Sequence, residues 1–238
     1  MKKTITITIL LFIIILLVSC KAELSNDTFN SENIFTQDKT FVYEKIQNEK
    51  SVDIVYELTI ENDIATYATN IKLEDGEYRA SSTLNTDTLQ PIKSYKGNSY
   101  QLHPEKNWDI YANYNKLLDM EATSEGKTEK MSLVIPNIVL DNEALIFSIG
   151  AINKQENLVV NVAVIDAAEI EPFKVTWLDN ETIKTPYGEY ECIRVQLEYT
   201  GMVLGRKPLL ELWYTNDDNR YLLKYRNATM EMILKNVH

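Results

Sequence analysis

Histidine, cysteine, glycine and proline are all scarce in this chain, and their scarcity excludes several kinds of chemistry. Among 238 residues there are two histidines (His103 and His238), two cysteines (Cys20 and Cys192), seven glycines and six prolines. The sequence has no GxSxG, HExxH, CxxC, GxGxxG or P-loop motif, so nothing indicates a hydrolase triad, a zinc protease, a redox pair or a phosphate-binding loop. We therefore expect no enzymatic activity, no metal and no cofactor.

Positive charge is also in deficit, which narrows the choice of partners. The formal net charge is −11 at pH 7. An acidic surface of this size disfavours binding to nucleic acid and flat adsorption on anionic lipid. Any attachment to a membrane must therefore come from something other than surface charge.

The one long apolar run lies at the start of the chain. Lys2 and Lys3 precede residues 9–18, which are all apolar, and a small residue stands directly before Cys20. This is the plan of a bacterial secretory signal. The run is too short for a bilayer core that needs about 20 apolar residues, which disfavours the alternative of a retained transmembrane helix.

Residues 17–20 (LVSC) resemble the lipobox that lipoprotein signal peptidase reads. The resemblance implies that Cys20 becomes the mature N-terminus and carries a thioether-linked diacylglycerol, with acyl chains that bind a membrane durably. It places the protein in the cell envelope, outside the cytoplasm and anchored to the membrane by lipid. Lipidation leaves Cys192 without a disulfide partner, and its place in an alternating run favours a buried, unreactive thiol.

Composition divides the chain into three parts. We predict a signal peptide over residues 1–19, the lipidated cysteine and a flexible tether over residues 20–40, and a single β domain over residues 41–238. The middle part is rich in Asn, Ser, Asp, Glu and Thr, a composition that buries little apolar surface.

Beyond residue 41 the apolar residues recur with a period of two. In residues 52–60 every second residue is Val, Ile, Tyr or Leu, which predicts a half-buried antiparallel strand. Asp75-Gly76 predicts a hairpin turn. About ten such strands follow one another, and residues 141–152 (DNEALIFSIGAI) predict one short helix capped by Asp141 or Asn142. The predicted fold class is mostly β: a curved antiparallel sheet or incomplete β-barrel with one short helix.

Four stretches together resemble a family of exported bacterial lipoproteins whose domain has no assigned function. They are residues 87–95 (DTLQPIKSY), 140–149 (LDNEALIFSI), 185–201 (TPYGEYECIRVQLEYTG) and 212–225 (LWYTNDDNRYLLKY). The resemblance implies the half-barrel fold of the lipoprotein carriers LolA and LolB, in which helix closes an apolar cavity. It implies no catalytic or binding residues.

Aromatic residues are the best candidates for a binding surface, because rings stack on sugars and pack on acyl chains while keeping a polar tip. Core packing and cross-strand pairing are the alternative role for each of them. The acidic loop 215–219 (TNDDN) offers oxygen ligands for Ca²⁺, but its spacing favours a simple turn. The candidate ligand-binding residues are Tyr95, Trp108, Tyr111, Trp177, Trp213 and Tyr214.

Three functions remain open from the sequence. The first is binding of an apolar or amphipathic envelope ligand, such as a lipid, in a concave sheet. The second is a structural or interaction role, with the sheet docked on another envelope protein, and the third is an envelope hydrolase. A cavity of several hundred Å³ lined by the sheet favours the first, whereas an interior filled by the protein's own side chains disfavours it.

Overall fold

The computed structural model describes residues 34–136, 138–201 and 209–238, which form sixteen β-strands, one α-helical turn and two short 3₁₀ turns. The strands are β1 (Lys39–Gln47), β2 (Lys50–Glu61), β3 (Ile64–Leu73), β4 (Gly76–Asn85), β5 (Pro91–Tyr100), β6 (Trp108–Tyr114), β7 (Leu117–Ser124), β8 (Lys127–Val134), β9 (Val139–Asp141), β10 (Val159–Val164), β11 (Glu169–Trp177), β12 (Glu181–Thr185), β13 (Gly188–Tyr199), β14 (Leu209–Thr215), β15 (Leu222–Arg226) and β16 (Met230–Val237). The helix α1 is Leu145–Ser148, and the 3₁₀ turns are Pro104–Lys106 and Ile149–Ala151.

All sixteen strands belong to one sheet that is not closed into a barrel. The strand order is β8-β7-β6-β5-β4-β3-β2-β1-β16-β15-β14-β13-β11-β10-β9, with β12 paired to β13. Every pairing is antiparallel except that of β9 with β10. The predicted fold class is confirmed, although the sheet has sixteen strands rather than about ten. Short strands such as β9 and β12 lack a long enough alternation to be recognised in the sequence.

The hairpin turns follow the local chemistry of the chain. The predicted turn at Asp75-Gly76 joins β3 to β4. Between β7 and β8, Glu125 and Gly126 both have positive φ, at 52° and 72°. Two consecutive residues of this kind suit the right-handed twist of paired strands. The long meander β1–β8 therefore arises mainly from contacts between sequence neighbours.

The helix is shorter than the sequence predicts. Asp141 ends β9, where it pairs with Ala163, so it does not cap a helix that begins there. Its side-chain oxygen Oδ1 accepts a hydrogen bond from the Glu143 backbone N–H at 2.7 Å, and this local turn delays α1 until Leu145. Gly150 then lies against the Tyr214 ring, where an added Cβ would sit 2.9 Å from Cε1. Residues 141–152 therefore pack closely against the sheet and do not form one continuous helix. We call this segment the plug.

This plug fills the inner side of the sheet. Phe147 stacks on Tyr67 with ring centroids 4.2 Å apart, and it also contacts Phe41 and Tyr56 at 5.5 and 5.3 Å. The surrounding main core contains buried residues from both halves of the sheet. Its largest fully buried side chains include Tyr43, Leu58, Leu197 and Leu234. A second, smaller core packs Ala112, Tyr114, Leu118, Met120, Val139, Ala163 and Ile165.

Residues just before the predicted domain start at residue 41 also pack with the sheet. Ile34 and Phe35 are buried, and the Phe35 ring packs edge-on against Tyr67 at 6.3 Å. Strand β1 starts at Lys39, close to that predicted start. The predicted signal peptide, Cys20 and residues 21–33 lie outside the described residues. Within the described ranges no helix has the length and apolarity needed to cross a lipid bilayer.

Candidate functional site

Two of the six candidate aromatic residues come together on the outer face of the sheet, the face that points away from the main core. Tyr95 of β5 pairs directly with Tyr111 of β6, and their ring centroids are 4.8 Å apart. Tyr111 is 51% exposed. Directly opposed residues on adjacent strands are the closest neighbours in a sheet, which explains why two tyrosines 16 positions apart in sequence form one pair.

A shallow groove of about 560 Å³ lies beside this pair. One row of directly paired residues crosses it from β2 to β6: Glu57, Ala68, Ser81, Tyr95 and Tyr111. Adjacent strands are about 4.8 Å apart, so the row spans about 19 Å. The small side chains of Ala68 and Ser81 form the floor, while the larger residues at each end form the walls.

Gly97 keeps the end of the groove beside Tyr95 open and allows two strands to approach closely. A Cβ at this position would lie 2.8 Å from the Trp108 carbonyl oxygen and 2.8 Å from the Tyr95 hydroxyl oxygen. Both contacts are shorter than real Cβ atoms tolerate, so any other residue would displace the Tyr95 ring or the β6 backbone. The orientation of Tyr95 thus depends on a glycine in the interior of β5.

Polar groups surround the aromatic pair. Arg79 lines the groove and forms an ion pair with Glu77, and Asn70 donates a hydrogen bond to Glu77 at 3.2 Å. Burial raises the pKa of the Tyr95 hydroxyl, Tyr111 and Asp109 add to this, and the positive charge of Arg79 opposes it. The Tyr95 hydroxyl therefore remains a neutral donor and acceptor at physiological pH.

The groove can thus offer aromatic faces next to amide, guanidinium and hydroxyl groups. Rings pack against apolar or sugar surfaces, while the flanking groups form hydrogen bonds with a polar portion. Such a mixture suits a molecule that has both characters. Arg79 and Asn70 were not among the predicted residues, although their positions in alternating strands place them on the outer face.

The other four candidate aromatic residues lie elsewhere. Side chains alternate between the two faces along a strand, so Trp108, three residues before Tyr111, faces the inner side. Trp177 is partly buried and packs against the main core. Tyr214 is 2% exposed, and its hydroxyl donates to the Ile146 carbonyl oxygen at 2.6 Å. Core packing, the alternative role, therefore accounts for the rings of Trp177 and Tyr214.

Trp213 is covered by charged side chains. Arg194, Lys224 and Arg226 lie 5.3, 5.5 and 5.5 Å from its ring, and its Nε1–H donates to a Glu181 carboxylate oxygen. Trp213 is only 4% exposed, because these cationic side chains cover its ring. Cation–π contacts of this kind stabilise the fold, and they leave no open face for a ligand.

Two further expectations concern single sites. Cys192 is fully buried, and burial raises the pKa of its thiol to about 11, which fits the predicted unreactive cysteine.

In the acidic loop, the Asp217 carboxylate accepts hydrogen bonds from Thr215 Oγ1 and the Asn219 N–H at 2.7 and 3.0 Å. The loop is therefore the predicted turn. In the described part of the chain no group of three or more His, Cys, Asp or Glu residues is arranged to hold a metal ion.

The inner and outer faces of the sheet are covered differently. The plug packs on the inner face, where one hollow beside Phe147 measures about 20 Å³. The larger groove lies on the opposite face.

The sheet and the groove together define a class of protein: an open, β-barrel-like sheet with a plugged interior and an aromatic groove on its outer face. The chain belongs to the family described as Protein of unknown function (DUF3108), whose family profile matches residues 36–232. No curated protein matches the chain significantly.

Solved structures resemble this fold at low sequence identity. The crystal structure of a β-barrel-like protein with domain of unknown function DUF1849 from Brucella abortus matches with a TM-score of 0.57 and 10% identity, over 86% of this chain and 98% of that chain. A Parabacteroides distasonis chain provisionally assigned as a lipoprotein gives a TM-score of 0.36 and 11% identity, over 89% and 99% of the two chains. The first similarity supports the fold. It does not identify LolA or LolB.

Proposed function

We propose that this protein is a lipid-anchored, extracytoplasmic binding protein without enzymatic activity, and that it holds an amphipathic envelope ligand in the groove beside Tyr95 and Tyr111. The lipobox-like residues 17–20 support the anchor at Cys20. The observation that carries the binding role is the pair of rings, 4.8 Å apart and exposed on one side, next to a groove of about 560 Å³.

The chemistry of the groove favours an amphipathic ligand over a purely apolar one. An acyl chain alone would remove water from Arg79, Asn70 and Glu57 without offering them a polar group in its place, which costs free energy. A purely polar ligand would leave the exposed face of Tyr111 uncovered. A molecule with a sugar headgroup and an apolar portion satisfies both parts, because its hydroxyls can bond the polar groups while its apolar surface packs on the rings.

The experiment follows tyrosine ring signals by NMR while the purified protein is titrated with n-octyl β-glucoside below its micelle concentration. Glucose and octanol serve as separate controls for the two halves of the probe. We expect the Tyr95 and Tyr111 signals to shift with octyl glucoside at lower concentration than with either half. Equal responses to all three probes, or shifts confined to other tyrosines, would contradict the proposal.

A matched variant strengthens the test. Tyr187 and Tyr190 form another tyrosine pair, with ring centroids 5.5 Å apart, at the β12–β13 hairpin. Tyr111→Ala should weaken probe binding, while Tyr190→Ala removes a similar ring away from the groove and should leave binding unchanged.

A second candidate function is protein docking at the edge strand β8. Among the described strands this one pairs only with β7, and Met131 and Val134 are 50% and 81% exposed. An exposed edge can accept another strand through backbone hydrogen bonds. Envelope partners that cross-link to cysteines introduced in β8, with the groove variants unaffected, would favour this role.

A further inference from the structure

One end of the open sheet, formed by β9 and β10, approaches strands β5–β7 in the other half without pairing with them. Strands β5 and β9 are in contact although they lie far apart in the strand order. The smaller core bridges the same gap, since Tyr114 and Leu118 of the first half pack with Val139 and Ala163 of the second. We call this contact between β5–β6 and β9–β10 the seam.

A buried polar cluster also lies in the seam. Asp141 at the end of β9 is 2% exposed, and its carboxylate accepts hydrogen bonds from the Tyr114 hydroxyl at 3.0 Å and the Glu143 N–H at 2.7 Å. Lys96 of β5 reaches across to Glu143 and to Asp166 of the β10–β11 turn, both at 3.0 Å. Charged groups of both halves of the sheet thus meet at one point.

Among the described residues no cation forms an ion pair with the Asp141 carboxylate. Ser82 and Ser94 contact Asp141 and Tyr114, but their buried hydroxyl oxygens complete no well-aligned hydrogen bond. An ionised carboxylate only accepts, whereas a neutral carboxylic acid also donates. The nearby cation, Lys96, is already engaged by two other carboxylates.

We propose that the Asp141 cluster is a proton-controlled latch that holds the seam closed when the carboxyl is neutral and loosens it when the carboxyl releases its proton to solvent. Ionisation places a negative charge in the interior next to Glu143. The free energy of that charge is relieved when the seam opens and water reaches Asp141.

The direction of the pH dependence follows from the same contacts. Burial, and then the charge of Glu143, raise the pKa of Asp141 to about 7, against the opposing hydrogen bonds from the Glu143 N–H and Tyr114. Burial alone would lower the pKa of Lys96, but Glu143 and Asp166 outweigh it, so Lys96 stays charged. Asp141 binds its proton more tightly in the closed seam than in the open one, so the closed seam is most stable at low pH. It weakens as the pH rises towards 7.

The test is hydrogen–deuterium exchange of the purified full chain at pH 6 and pH 8, corrected for intrinsic exchange rates. With one group of pKa about 7 in the closed seam and an ordinary value in the open one, we expect seam opening to rise about tenfold between these pH values. The rise should appear in peptides of β6 and β9 and not in β1 and β16. Unchanged protection in β6 and β9 would overturn the proposal.

Two variants assign the effect to Asp141. Asp141→Asn cannot ionise, so the tenfold pH dependence should disappear; Asp166→Asn removes a partly exposed carboxylate of the same cluster and should retain it. If Asp141→Asn does not fold, Tyr114→Phe provides the second test. It removes one hydrogen bond to the carboxylate, so the pH at which protection is lost should move upwards. An unmoved midpoint would refute the latch.

Discussion

Replacing Phe147 tests whether the inner side of the sheet is a packed core instead of a ligand cavity. Phe147 is 6% exposed and contacts three aromatic rings: Tyr67, Tyr56 and Phe41. If a ligand occupied this space in the working protein, these contacts would be dispensable. If the plug is part of the fold, they are not.

The expected loss of stability follows from these contacts. Phe→Ala in a core costs about 3–5 kcal/mol, including the cavity left behind. Favourable ring geometry contributes about 0.5–1.5 kcal/mol for each aromatic pair beyond burial. With three pairs at 4.2–5.5 Å, we expect Phe147→Ala to lie near the upper limit, at about 4–5 kcal/mol.

Urea unfolding followed by circular dichroism measures this change. With a slope of about 2 kcal/mol per molar urea, the transition midpoint should fall by about 2 M. Leu102→Ala is the control, because Leu102 is 77% exposed and its loss should change stability by less than about 0.5 kcal/mol. A loss below about 1 kcal/mol for Phe147→Ala would refute the packed plug and return the interior to consideration as a ligand cavity.

Three further predictions concern single residues. The Cys192 thiol should resist a disulfide reagent at pH 8 in the folded protein and react in urea, because burial raises its pKa to about 11; rapid modification without urea would contradict its burial. Gly150→Ala should lower the free energy of unfolding by about 1–3 kcal/mol, since the new Cβ would lie 2.9 Å from the Tyr214 ring, and unchanged thermal unfolding would show that the plug adjusts freely. Cys20→Ala should abolish incorporation of a palmitate analogue and release the protein from membranes, whereas labelling that persists in the variant would exclude Cys20 as the acylation site.

The sequence predicts the sheet well because its signal is local. The alternation of apolar and polar residues in β2 is visible in that segment alone and indicates a strand. The backbone preference of Asp75-Gly76 likewise indicates a turn without reference to the rest of the chain. The helix is mispredicted where two local preferences compete. Asp141 has the chemistry of a helix cap, but pairing with β10 places it in a strand instead.

The candidate site is predictable only in part. Tyr95 and Tyr111 can be recognised in the sequence as aromatic residues in strands. Their contact depends on the register between β5 and β6, which the sequence does not show. Trp213 and Tyr214 have the same local appearance but different surroundings, since residues distant in sequence cover them. Gly97 and the Asp141 cluster depend on contacts between strands, which a single sequence does not encode in any short motif.

Native mass spectrometry of the protein purified from its own host tests the central claim most directly. The account predicts a non-covalent amphiphile on the wild-type protein, lost in Tyr111→Ala and retained in Tyr190→Ala. A wild-type protein without bound ligand, or a ligand that remains on Tyr111→Ala, would contradict binding in the groove.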